Sequence, residues 1–191
     1  MASALFIALQ REYYLRKFKE KSFFDELTGA FNRNFFLNQM ERAEIINSES
    51  LTIIMIDLNG LKAANDTRGH QAGDELLMGV VEICKKVFGS NVNLFRMGGD
   101  EFAIILSKPT HTIIDYISLL TVAKNNWKGK LNDKLEFAIG YATKEEFPEL
   151  DVDELIKIAD QRMYTDKANF YKQHDRRVED PRINKELHPT V

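Results

Sequence analysis

A chain of 191 residues, 44% of them hydrophobic, can bury one sizeable core and little more. With 26 basic and 29 acidic residues, its formal net charge is −3. It therefore lacks the basic excess of a nucleic-acid surface, and any nucleotide must be held by a local arrangement. The single cysteine, Cys84, excludes an intrachain disulfide and fits a reducing, cytoplasmic compartment.

Ala2 to Leu9 is mostly apolar, and Arg11, Arg16, Lys17, Lys19 and Lys21 follow, interleaved with Tyr13, Tyr14, Leu15 and Phe18. The apolar part is too short to span a bilayer, which takes about 20 residues, and charges after an apolar run do not make a signal peptide. An amphipathic helix over residues 1–22 is expected, either packed on its own domain or serving as a stalk between protomers. Asp25 to Arg33 has turn chemistry and opens a helix toward Glu44, with Asp25 and Arg33 placed to pair.

The apolar run Ile53 to Ile56 reads as a buried strand, closed by Asp57. Asn65 to Gly73 is polar and reads as a loop. Asp74 to Phe88 then carries Leu76, Leu77, Val80, Val81, Cys84, Val87 and Phe88 at helical spacing, which makes Cys84 core packing. Val92–Phe95 and Phe102–Leu106 read as two strands of a hairpin, because Gly98 and Gly99 permit a tight reversal. Asp100 and Glu101 flank that turn, and alternation along a strand sends them to different faces. Alone, such a tip reads as solvated surface.

A helix over Thr112–Trp127, a strand over Leu135–Ala142 and a helix opened by Asp151 and Asp153 complete the pattern. Leu155, Ile156, Ala159 and Met163 give the last helix its apolar side, and Tyr164 and Lys167 follow. From Lys172 the chain is polar, so the expected division is a helix at 1–22, one domain at 23–171 and a tail at 172–191. Strand-helix-strand twice over is a ferredoxin-like α+β plan, an antiparallel sheet with helices on one face.

Asp57 closes one strand, and Asp100 or Glu101 would stand opposite. Two such acids suit a hard divalent cation, since magnesium takes one or two carboxylates plus phosphate and water oxygens. The stretch from Asp57 through Asn65 to Gly69-His70-Gln71-Ala72-Gly73-Asp74, followed by Gly98-Gly99-Asp100-Glu101-Phe102, resembles the GGDEF family of diguanylate cyclases. The resemblance covers roughly Asp25 to Lys167, with the motifs in the family's order. It implies a ferredoxin-like, polymerase-palm-like sheet flanked by helices, and kinship to class III nucleotide cyclases.

The resemblance also implies roles. Asp57, the Leu58 carbonyl and Asp100 would hold Mg2+, with Mn2+ as a substitute, and Glu101 would serve a second ion or assist deprotonation of the attacking hydroxyl. Backbone amides of Asn59, Gly60, Leu61 and Lys62 would cradle phosphates, and Lys62 and Lys167 would neutralise the distal ones. Asn65 and Asp74 would read guanine, whose N1–H and 2-amino donors suit a carboxylate. Read singly, Asp74 is a helix cap and Asn65 a turn residue.

The chain departs from the family in carrying Asn59 where an acid is frequent, Leu61 where an aromatic is frequent and Tyr171 where a basic residue is frequent. Gly89-Ser90-Asn91-Val92 replaces the family's product-binding Arg-x-x-Asp. The implied activity is condensation of two GTP into cyclic di-GMP and two pyrophosphates across a homodimer, with Asp57, Asp100, Glu101 and Lys62 as the catalytic set. The expected setting is cytoplasmic, alone or as part of a larger membrane-bound sensor, without nucleic acid. The alternatives are a receptor domain that binds GTP or cyclic di-GMP without turnover, and a nucleotidyltransferase using ATP or mixed purines.

Overall fold

The structure is a computed structural model in which residues 6–7, 9–13, 23–42 and 48–173 are described. The elements in chain order are β1 (Phe31–Asn32), α1 (Arg33–Met40), β2 (Leu51–Leu58), α2 (Leu61–Arg68) and α3 (His70–Phe88). They continue with β3 (Asn93–Gly98), β4 (Glu101–Ser107), α4 (Thr110–Asn126), β5 (Phe137–Thr143) and α5 (Val152–Gln173). One sheet has the order β1-β3-β4-β2-β5. β2 lies antiparallel to β4 and β5, β3 antiparallel to β4, and β1 parallel to β3.

β2 is an interior strand between β4 and β5, and all eight of its residues are buried, a run that needs cover on both faces. Ile54, Ile56 and Leu58 pack with Leu76, Val80, Ile113 and Leu120 of α3 and α4. Leu51, Ile53 and Met55 face the other way, toward Phe36 of α1 and Leu155, Ala159 and Met163 of α5. Helices therefore flank the sheet on both faces rather than one, which is the first correction to the sequence reading. The second is β1, a two-residue strand too short to show a period, which makes the sheet mixed.

The polar stretch expected as a loop is the end of α2 and the start of α3, broken only at Gly69. The helix expected to reach Glu44 ends at Met40. α5 begins with a reciprocal cap: the Glu154 N–H donates to the Asp151 carboxylate at 2.8 Å, and the Asp151 N–H donates to the Glu154 carboxylate at 2.9 Å. β5 lies so close to α5 that a Cβ on Gly140 would overlap the Ala159 carbonyl oxygen and the Met163 amide nitrogen. Residues 6–7 and 9–13 are helical, while the rest of the expected N-terminal helix and the tail beyond Gln173 lie outside the described residues. Among the described residues, no helix is long and apolar enough to cross a membrane.

Candidate active site

β2 ends by carrying Asp57 to the edge of the sheet, where its register partner on β4 is Glu101. Paired residues on antiparallel strands share a face, so these two carboxylates point the same way. Gly99 turns the hairpin with φ 51°, a left-handed value suited to glycine, and the Leu58 N–H donates to the Asp100 carbonyl oxygen at 2.9 Å. That bond ties the acidic tip to the strand end. Asp100 and Glu101 are half-buried, while Asp57 is 1% exposed.

Burial pushes the Asp57 carboxyl above its ordinary range, and the neighbouring Asp100 and Glu101 charges push the same way against an opposing Lys167. Lys167 Nζ reaches across from α5 to Asp57 Oδ1 at 2.8 Å, and both side chains are buried. Asp57 Oδ2 has no hydrogen-bond donor among the described residues. Among those residues no three His, Cys, Asp or Glu side chains converge tightly enough to hold a metal by themselves. The site offers carboxylates for a cation that takes its remaining oxygens elsewhere, as magnesium does.

Above Asp57, Gly60 starts α2 with φ 78°. The first-turn N–H groups of Leu61 and Lys62 have no partner within the helix, which leaves them for an anion. The Asn59 N–H differs, because it already donates to the Glu136 carbonyl at 2.8 Å. Of the four amides expected to cradle phosphate, that of Asn59 is thus already committed. Lys62 is exposed on the same turn. Lys167, expected to neutralise distal phosphates, is 6% exposed and pairs with Asp57. Tyr171, one turn later, packs its ring edge-on against Phe170 at 5.4 Å.

Asn65 and Asp74 lie on α2 and α3 at the corner made by Gly69. Asp74 is in the second turn of α3, whose cap is Gly69 without a side-chain bond, so it is no helix cap. Asn65 is helical and not a turn residue. Between them stands Gly73, where an added Cβ would overlap Asn65 Oδ1 and approach its Cγ at 2.9 Å and Leu61 Cδ1 at 3.0 Å. The glycine thus sets how closely Asn65 lies against α3.

Sequence reasoning missed Arg96. Its Nη1 meets both Asp25 oxygens at 3.1 and 3.3 Å, while its Nε and Nη2 donate to the Gly99 carbonyl at 3.1 and 2.8 Å. Asp25 therefore pairs with Arg96, not Arg33, and one guanidinium joins the segment before β1 to the hairpin tip. Burial raises the Asp25 carboxyl, but the Thr28 hydroxyl and amide and Arg96 outweigh it and hold it below the ordinary range. The signal available was a lone charge inside an apolar strand, Leu94-Phe95-Arg96. Gly89 to Val92 forms a turn closed by the Val92 N–H to the Gly89 carbonyl at 3.2 Å.

The model of the family described as "Diguanylate cyclase, GGDEF domain" matches residues 22–173. The probable diguanylate cyclase DgcI of Escherichia coli is 34% identical over 149 residues, covering 78% of this chain and 32% of that protein. The cyclic di-GMP phosphodiesterase PdeB of Shewanella oneidensis is 30% identical over 159 residues, 79% of this chain and 18% of that protein. The chain thus spans a third or less of these two relatives. The coiled coil and GGDEF domain of DgcB from Caulobacter crescentus, solved in complex with c-di-GMP, superposes with a TM-score of 0.76. It is 21% identical and covers 88% of this chain and 92% of that one, a likeness of fold. The match across nearly the whole described domain, on a sheet that sets Asp57 beside the Gly98-Gly99-Asp100-Glu101 tip, makes this chain a member of the GGDEF-domain family.

Proposed function

We propose that this chain is a diguanylate cyclase, condensing two GTP into cyclic di-GMP with release of two pyrophosphates. The observation that carries the reading is the cross-strand pair Asp57 and Glu101 beside Asp100, with one buried Asp57 oxygen lacking a donor. Asp57, Asp100 and the Leu58 carbonyl would hold Mg2+, or Mn2+ in its place, and Glu101 completes the acidic edge. When bound, the ion supplies charge neutralisation at the reacting phosphate.

The chain's own residues do the rest. Gly60, Leu61 and Lys62 present backbone donors to the phosphates, and the exposed Lys62 ammonium adds charge at the outer end. Asn65 and Asp74 select guanine over adenine by accepting from its N1–H and 2-amino groups. Lys167 keeps the buried Asp57 carboxylate balanced in the absence of a cation. One domain holds one GTP, so two half-sites must face each other to bring a 3′-hydroxyl in line with an α-phosphate, and the active species is a homodimer.

A receptor that binds without turnover has one observation in its favour, the Lys167 ion pair that occupies Asp57 Oδ1. Asp100→Ala separates the two. Asp100 is half-buried at a turn, so its removal leaves the melting temperature within a few degrees of the parent and abolishes product formation. Near-normal turnover by this variant at saturating magnesium would remove Asp100 from the site.

A further inference from the structure

The acidic tip stands on a pliable stretch of its hairpin. The β3–β4 register slips between Arg96 and Gly98, which leaves Met97 as a bulge, and the next two residues are glycines with φ of 155° and 51°. A carboxylate that serves a site needs its backbone held far more closely than such a stretch provides by itself. Two contacts supply the constraint. The Leu58 N–H donates to the Asp100 carbonyl at 2.9 Å, and Arg96 Nη2 and Nε donate to the Gly99 carbonyl at 2.8 and 3.1 Å. Successive carbonyls of the tip are thus held by the end of β2 and by a guanidinium.

That guanidinium is oriented from outside the hairpin. Its Nη1 donates to the Asp25 carboxylate, whose Oδ1 also accepts the Thr28 hydroxyl at 2.6 Å and the Thr28 N–H at 2.9 Å. The turn carrying Asp25 and Thr28 is closed by the Gly29 N–H to the Asp25 carbonyl at 2.9 Å and the Asp25 N–H to the Ala30 carbonyl at 2.8 Å. Phe24 stacks on Phe31 with ring centroids 4.8 Å apart, which fastens the turn to β1. A planar fork can face Asp25 with one nitrogen and Gly99 with the other two. The single ammonium of a lysine cannot span both partners in this geometry.

We infer that Arg96 is a positioning residue for the acidic tip, and that the turn carrying Asp25 and Thr28 is the remote end of its support. Arg96 acts through the Gly99 carbonyl, on the peptide bond that leads into Asp100. A change at Thr28 therefore reaches Asp100 by way of Asp25 and Arg96, although none of these three is assigned to cation or nucleotide. The consequence for a bound cation rests on the cyclase reading of Asp100. The rigidity of the tip does not.

Amide hydrogen exchange of the full chain, without nucleotide or metal, reads the tip directly, because the Leu58 amide is protected by the Asp100 carbonyl. Arg96→Lys should speed exchange of Leu58 at least tenfold relative to Ile54 and Ile56 of the same strand, and Asp25→Asn should act in the same direction. Thr28→Val should do so more weakly. The double variant Arg96→Lys with Asp25→Asn should add nothing to the larger single effect, since both break one network. Mn2+ affinity, read by electron paramagnetic resonance with a non-hydrolysable GTP analogue, should fall at least tenfold in Arg96→Lys, while affinity for the analogue without metal stays within twofold. Equal acceleration of Leu58, Ile54 and Ile56 would reduce Arg96 to general stability and overturn the inference, as would unmoved Mn2+ affinity in a variant with a loosened tip. A parent that binds no Mn2+ and forms no cyclic di-GMP would end the cyclase reading, and the exchange pattern would still decide the role of Arg96.

Discussion

Gly73→Ala separates fold from base recognition at a single carbon. The new Cβ would overlap Asn65 Oδ1, which is the far end of a side chain that can rotate, so Asn65 yields before the helices do. The approach to Leu61 Cδ1 at 3.0 Å adds mild crowding. Overpacking of this kind costs about 1–3 kcal/mol. Alanine inside a helix recovers about 1 kcal/mol relative to glycine, because it loses less backbone freedom. The net change in stability should then be about 0–2 kcal/mol. The displaced amide can no longer meet guanine, and one such buried hydrogen bond is worth about 1–3 kcal/mol, or roughly 5- to 150-fold in kcat/KM for GTP. Chemical denaturation gives the first quantity, and initial rates with GTP and ATP in competition give the second. A variant that folds like the parent and keeps its GTP kinetics and selectivity would refute the placement of Asn65 against the base.

Asp57→Ala removes a charge partner of the buried Lys167 ammonium and should cost up to about 3–5 kcal/mol, part of it recovered by Asp57→Ala with Lys167→Met; equal melting of single variant and parent would contradict this. Gly140→Ala drives a Cβ into the α5 backbone, including the Arg162 carbonyl carbon at 2.8 Å, and should lower the melting temperature far more than Gly73→Ala does. Asp25 has its carboxyl below the ordinary 3.8, so its contribution is present above that value and is lost as pH falls through the depressed one. Asp25→Asn should reduce stability at neutral pH and flatten the acid limb, and an unchanged pH profile would show that Thr28 and Arg96 do not hold the carboxylate.

The hairpin and its acids are legible in sequence, because a glycine pair between two apolar runs permits one local answer. β2 is legible from its unbroken apolar run Ile53 to Ile56 closed by Asp57, and so is the meeting of Asp57 with the tip. What escapes is pairing between elements without local periodicity. Lys167 and Asp57 meet across the α5 face of the sheet, and nothing near either residue announces the other. Arg96 reaches Asp25 only because the sheet brings β3 beside β1. The Asn65–Gly73 stretch reads as loop from its polarity, yet Gly69 breaks a helical path without ending it. The Asn59 N–H, expected among the phosphate-cradling amides, is taken by the Glu136 carbonyl, a pairing that only the docking of the segment before β5 decides.

The central claim is catalysis, and the most direct measurement is incubation of the purified chain with GTP and magnesium over a range of protein concentrations, followed by anion-exchange chromatography and pyrophosphate assay. The account predicts cyclic di-GMP with two pyrophosphates per product, formed at a rate that rises more than linearly with protein as half-sites pair, and lost in Asp100→Ala. Stoichiometric GTP binding without product, at concentrations where the chain is dimeric by light scattering, would contradict it.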